Sequence, residues 1–241
     1  MAQVQSLLDH APPLSTIYLT SRTPPKIIHN ITSSILSYHP LDITTPSSIE
    51  ALYKTIKEAG GIDVLVNNAG NGTGSVKEIV EFNYYGGFRD EELRAKMAAA
   101  GEGTIEGLDA LIERYRADVK AGVSKEKGWP HQYSVTKAAI TAAKITMARD
   151  NPELLVNCCC PGRVETETGV KFASRAIPLK TIEEGARILV RLAAEDIGGI
   201  SGKFWKNSSL TEKGYGQATD WCDENSWSLE DKFFDGIQYV F

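Results

Sequence analysis

Five short apolar runs, most of them separated by helical patterns, constrain this chain of 241 residues more tightly than anything else in it. The runs are "STIYLTSR" (15–22), "SILSYHPLD" (34–42), "GIDVLVNN" (61–68), "ELLVNCCCP" (153–161) and "GISGKFW" (199–205). Several are continuously apolar, as strands are when both faces of their sheet are covered. Between them, "TPSSIEALYKTIKEAGG" opens with a Thr-Pro-Ser cap signal, repeats apolar residues at Ile49, Leu52 and Ile56, and stops at glycines. "DEELRAKMAAAGEGTIEGLDALIERYRADVKAGV" reads as one or two charged helices, and residues 131–150 as another. "TIEEGARILVRLAAE" (181–195) starts with a capping box. Strands alternating with helices predict an α/β domain with a mainly parallel sheet.

No repeat or linker divides residues 1–210, which read as one domain. Residues 211–241 differ, with seven acidic residues against Lys213 and Lys232, and seven aromatics. They read as an acidic extension of the same domain, anchored by its aromatics.

A net charge of −5 without any basic stripe argues against nucleic acid. No apolar run approaches the length of a membrane span, and "MAQVQSLLDH" has no basic stretch leading into an apolar block. Three of the four cysteines, Cys158, Cys159 and Cys160, are consecutive. That spacing suits neither a disulfide framework nor a zinc site, and reads as buried thiols in a strand. The expectation is a soluble, cytoplasmic protein with no membrane partner and no metal.

The chemistry concentrates in "HQYSVTKAAI" (131–140), where Tyr133 stands four residues before Lys137. Positions four apart share a helix face, so the ammonium can lie beneath the phenol. A phenol ordinarily titrates near 10, and proton transfer at neutral pH asks for about 4 kcal/mol in favour of the phenolate. One cation about 4 Å away in a partly buried site supplies roughly that. Such a pair occurs by chance in many helices, but here it has company. Upstream, "IDVLVNNAG" (62–70) runs from an apolar strand into small residues, and downstream "VNCCCPGRVETETG" (156–169) runs from a strand into Pro-Gly. Ligands of open α/β sheets bind at such strand ends, where small residues let a cofactor approach the backbone.

With "YLTSR", "LDIT", "GGIDVLVNNAG", "FNYYG", "EKGWPHQYSVTK" and "LLVNCCCPGRVET", the sequence resembles the short-chain dehydrogenase/reductase family, in its NADPH-dependent carbonyl reductase branch. The resemblance covers most of residues 14–206 and implies a doubly wound, parallel-sheet, Rossmann-like domain. It further implies that Tyr133 protonates a carbonyl oxygen as hydride arrives from the nicotinamide. Lys137 would lower the phenol pKa and hold the nicotinamide ribose, and Asn83 would support a proton-relay water near that lysine. Asn68, Ala69 and Gly70 would lie along the adenosine ribose, with Asp42 and Ile43 beside the adenine. Arg22 is similar to the arginine that pairs with the 2′-phosphate, which favours NADP over NAD because a guanidinium makes that bidentate contact. Pro161, Gly162, Val164 and Thr166 would flank the nicotinamide.

Two family features have no counterpart. The opening strand with its Thr-Gly-x-x-x-Gly-x-Gly turn is not found, and no glycine precedes Gly60. Nor does an apolar strand intervene between "NYYGG" and "DEELRAKM" to carry the family serine; neither Ser124 nor Ser134 matches it, so no catalytic serine is assigned. In the family's sheet order, 3-2-1-4-5-6-7, those strands flank "IDVLV" on both sides. The expectation is that the remaining strands close up as 3-2-4-6-7, or that another segment or a second chain, as in a homo-oligomer, fills the gaps. Two functions remain open at this point. One is NADPH-dependent reduction of a small ketone, aldehyde or quinone. The other is a truncated or degenerate, non-catalytic member that binds cofactor weakly and acts, if at all, by associating with other subunits.

Overall fold

Thr16–Ser21 (β1) and Ile35–Pro40 (β2) pair in parallel in the computed structural model, with Thr16 opposite Ile35 and Ser21 opposite Pro40. The structure describes residues 4, 7, 9–24, 35–68, 91–130, 132–166, 179–209 and 211–221. Past the ladder, the Leu41 N–H still donates to the Ser21 carbonyl at 3.0 Å, so both chains leave the strands side by side. Pro46–Glu58 (α1) follows, with Thr45 at its N-cap and proline in the first turn, where its missing N–H costs nothing. Its apolar stripe is not buried: Leu52 and Ile56 are half-covered and Ile49 is exposed.

The expected strand 61–68 is not one. Residues 61–68 lie in no ladder among the described residues, and Leu65 is 69% exposed, with Ile62, Val64 and Val66 open to solvent as well. A strand exists by exchanging its N–H and C=O groups with neighbours. The described ladders are two separate ones, β1 with β2 and a three-stranded sheet further on, and neither reaches this segment. Among the described residues the close-up order 3-2-4-6-7 therefore does not form.

Three helices build the larger core: Glu91–Glu102 (α2), Ile105–Lys120 (α3) and Gln132–Asp150 (α4). Thr104 caps α3 by accepting from the Gly107 N–H at 3.1 Å. Leu93 and Met97 of α2 and Leu108 of α3 meet Val135, Ala138 and Ala142 of α4. The last two are four apart on α4, and their methyl groups let neighbouring helices approach closely. Trp221, beyond the expected domain end at 210, packs against this cluster.

Cys158–Cys159 (β3) pairs in parallel with Phe204–Lys206 (β4), and Gln217–Thr219 (β5) adds antiparallel to β4. Ile182–Ala194 (α5) lies between β3 and β4 in sequence. Its Ile188 packs with Trp205 and Cys159. Residue 158 faces the other way, toward Thr141 and Lys144 of α4. Helices thus cover both faces of this sheet, the doubly wound arrangement.

Candidate functional site

The direction of α4 decides where its tyrosine and lysine stand. The Thr141 hydroxyl of α4 lies beside the Cys158 thiol of β3. One end lower, a Cβ placed on Gly202 would be 3.5 Å from that of Ala148, and the Gly202 N–H donates to the Val156 carbonyl at 2.8 Å. Moving up α4 from 141 to 148 therefore moves down the strand from 158 to 156, and the two run antiparallel. Lys137 and Tyr133 lie one and two turns before Thr141, about 6 and 12 Å along the axis. Cys158 to Pro161 spans about 10 Å of strand in the same direction. The pair thus sits at the level where β3 gives way to Pro161. The Lys137 side chain is exposed, and its carbonyl accepts from Thr141 Oγ1 at 3.0 Å. The Tyr133 side chain lies outside the described residues, as do Asn83, Ala69 and Gly70.

The segment Pro161–Thr166 is held from behind. Gly162 has φ +79°, a conformation glycine adopts without strain. Val164 bridges in parallel to Lys180; the Lys180 N–H donates to the Arg163 carbonyl at 2.8 Å, and the Glu165 N–H to the Lys180 carbonyl at 2.8 Å. The Lys180 side chain is 1% exposed, and its Nζ donates to the Pro161 carbonyl at 3.1 Å. Burial pushes this ammonium below the usual lysine range, while Cys160, Glu212 and Glu184 pull it back. On the far side, a Cβ on Gly185 would come within 2.4 Å of Val164 Cγ2, so only glycine lets α5 approach this turn.

A second grouping forms at the carboxyl ends of β1 and β2. Arg22 is exposed just past β1, and its charge, with hydrogen bonds from the Thr44 hydroxyl (2.6 Å) and N–H (2.9 Å), bears on the Asp42 carboxylate. The Thr44 bonds come first and Arg22 last in holding Asp42 below the usual carboxylate value. The Asp42 N–H donates to Ser48 Oγ at 3.0 Å, which fixes the turn into α1. Ile43 beside it is 52% exposed. Arg22, Asp42 and Ile43 thus stand together, and Pro161, Gly162, Val164 and Thr166 form one turn at the level of residues 133 and 137. Asn68 is exposed at the end of the unpaired segment.

Lys180 and Gly185 were not foreseen. An interior glycine in a helix costs about 1 kcal/mol against alanine, so its presence in α5 was a readable sign of close packing; the lysine, just before a cap, gave none. Trp129 belongs to the core: it is 5% exposed, its ring is tilted against that of Tyr115 with centroids 5.2 Å apart, and its indole N–H donates to Asp118 at 2.8 Å. Ser124 lies in the turn after α3, where its carbonyl accepts from the Trp129 N–H. The cysteine run meets the expectation only in part: Cys158 is buried in β3, Cys159 in β3 and Cys160 just past it are half-covered, and desolvation, with Cys160 next, pushes the Cys159 thiol up to about 11. Among the described residues no group of histidine, cysteine or carboxylate side chains could hold a metal, and no helix is long and apolar enough to cross a membrane.

The groups present suit the two ends of a phosphorylated dinucleotide. A guanidinium open to solvent can take a phosphate, and an exposed ammonium stands beside a turn of backbone held open by glycine. Known proteins agree on the lineage. A family model described as short chain dehydrogenase matches residues 17–176. Short-chain dehydrogenase/reductase 1 of Saponaria officinalis is 30% identical, covering 81% of this chain and 87% of that protein. Carbonyl reductase (NADPH) 1 of Mus musculus is 32% identical over 72% of this chain and 78% of its own. The (+)-neomenthol dehydrogenase of Arabidopsis thaliana is 28% identical over 68% and 74%. Salutaridine reductase from Papaver somniferum shares the fold at a TM-score of 0.57 and 23% identity, covering 70% of this chain and 81% of that one.

Proposed function

This chain belongs to the short-chain dehydrogenase family and is an oxidoreductase, and from that premise we propose that it reduces a carbonyl compound with NADPH. The observation that carries the reading is the antiparallel register of α4 and β3, which sets the Tyr133–Lys137 turn level with Pro161–Thr166. NADPH, when bound, supplies the hydride. Tyr133 gives its phenolic proton to the carbonyl oxygen of a ketone, aldehyde or quinone. Lys137, one turn on, favours the phenolate left behind and holds the nicotinamide ribose. Asn83 would support the water that returns the proton. Pro161, Gly162, Val164 and Thr166 would hold the nicotinamide, and Asn68, Ala69 and Gly70 the adenosine ribose. Asp42 and Ile43 would hold the adenine, and Arg22 the 2′-phosphate, which would select NADPH over NADH. The relatives named for NADPH-dependent carbonyl reduction support this reading.

Titrating the protein with NADPH and NADH, followed by the cofactor's fluorescence, tests it. NADPH should bind with a dissociation constant of about 100 µM or tighter. Arg22→Ala should erase about 10- to 100-fold of the preference over NADH, the worth of a charge-assisted bond. A preference that survives Arg22→Ala removes the arginine from the site.

A second reading draws on the exposed segment 61–68, which ends at Asn68 and lies in no ladder among the described residues. If that segment stays unpaired in solution, the adenosine side is incomplete, and the chain acts through other subunits without turnover. No response to millimolar NADPH would favour that reading.

A further inference from the structure

Among the described residues Lys180 is the largest side chain that is fully buried, at 1% exposure. An ammonium has three N–H donors, yet among the described residues its one side-chain hydrogen bond is to a neutral backbone carbonyl, that of Pro161 at 3.1 Å. Glu184 and Glu212 act on it only through their fields. Glu184 is committed elsewhere, to the Lys213 ammonium at 2.8 Å and the Thr181 N–H at 2.9 Å, and Glu212 binds the Ser208 N–H at 2.7 Å. A charge kept from water on such terms costs free energy, so it is a poor device for stability alone.

Its placement gives it another use. The same residue grips the turn at three successive points: its ammonium at Pro161, its N–H at Arg163 and its carbonyl at Glu165. Gly185 closes on Val164 from α5, which begins two residues after Lys180. The turn therefore cannot shift without breaking the ammonium's contact.

We propose that Lys180 is a positioning residue for the cofactor, its buried ammonium locking the Pro161–Thr166 turn in the shape that receives the nicotinamide half. This rests on the reading of that turn given above. Lys180 does not touch the cofactor; it acts through the Pro161 carbonyl. Among the described residues none of its contacts is with the grouping at Arg22 and Asp42, where the adenosine half would bind.

Lys180→Met keeps the length and loses the charge and the donors. In the ligand-free protein, exchange of the Glu165 and Thr166 amides should quicken by about tenfold, the amides of α3 keeping their wild-type rates. NADPH should then bind about tenfold more weakly, whereas 2′-phospho-ADP-ribose, the same molecule without nicotinamide, binds as to the wild type. Unchanged exchange in the turn overturns the proposal. So does an equal weakening of both ligands, which would mark a general structural role. If exchange quickens but the wild type itself holds the two ligands equally tightly, the nicotinamide reading of the turn fails, and with it the role of Lys180 toward cofactor. The ammonium would then be an anchor of the turn alone.

Discussion

Asp118 is 5% exposed, yet both of its oxygens are used: Lys127 donates to one at 2.5 Å and Trp129 to the other at 2.8 Å. These bonds hold its carboxyl below the ordinary 3.8. A carboxylate favoured by folding stabilises the folded chain at neutral pH, and the contribution is lost as pH falls through 3.8 and below. Asp118→Asn should therefore lower the melting temperature at pH 7 and leave a smaller acid-induced fall than the wild type; an unchanged fall would mean that other carboxylates govern acid unfolding. Gly185→Ala drives a methyl group into Val164 and should cost about 1–3 kcal/mol in a denaturant melt. The Cys159 thiol, at about 11, is thiolate in about one molecule per thousand at pH 8. Alkylation at Cys159 should accordingly be slow in the folded protein and rapid once it is unfolded, as mass spectrometry of the labelled peptide would read.

Among elements, those with their own local signals were legible in the sequence. Thr45-Pro46 opens α1, and Thr181 with Glu184 forms the anticipated capping box of α5, the Glu184 N–H donating at 3.2 Å and the Thr181 N–H at 2.9 Å. Strands were legible only where a partner exists. Residues 15–22 gave β1 and 34–42 gave β2, but 61–68 has the same apolar content and no ladder, and 153–161 shrank to Cys158–Cys159. Apolar pattern states what a segment would bury, not which neighbour is there to bury it. β5 was missed because "QAT" carries no strand signal; it is placed from outside. Arg191 donates to the Gly216 carbonyl at 3.0 Å while lying 5.0 Å over the Trp205 ring, and Asn207 accepts from the Gly216 N–H at 2.9 Å. Arg22 and Asp42 could be named from their motifs, and the structure sets them beside one another, whereas the buried grip of Lys180 is a tertiary fact with no local mark. Hydrogen exchange tests the unpaired segment: amides 62–66 should exchange orders of magnitude faster than those of Ala138–Thr146 in α4. Comparable protection would mean that 62–66 is paired.

At the scale of the molecule, a three-layer body about β3, β4 and β5 carries the Tyr133–Lys137 turn and the Pro161–Thr166 turn at one end, and β1 with β2 carries Arg22 and Asp42 at their carboxyl ends. The function we propose uses that distribution, with one place for the adenosine phosphate and another for the reacting carbons. On that proposal the phenol of residue 133 is the group on which turnover depends, while binding depends on residues elsewhere. The most direct test follows NADPH absorbance during reduction of a panel of quinones, aldehydes and ketones by the wild type and by Tyr133→Phe. The wild type should consume NADPH with at least one of them, and the variant should turn over about 10²- to 10⁴-fold more slowly with NADPH affinity unchanged. Equal turnover by the two proteins would contradict the account.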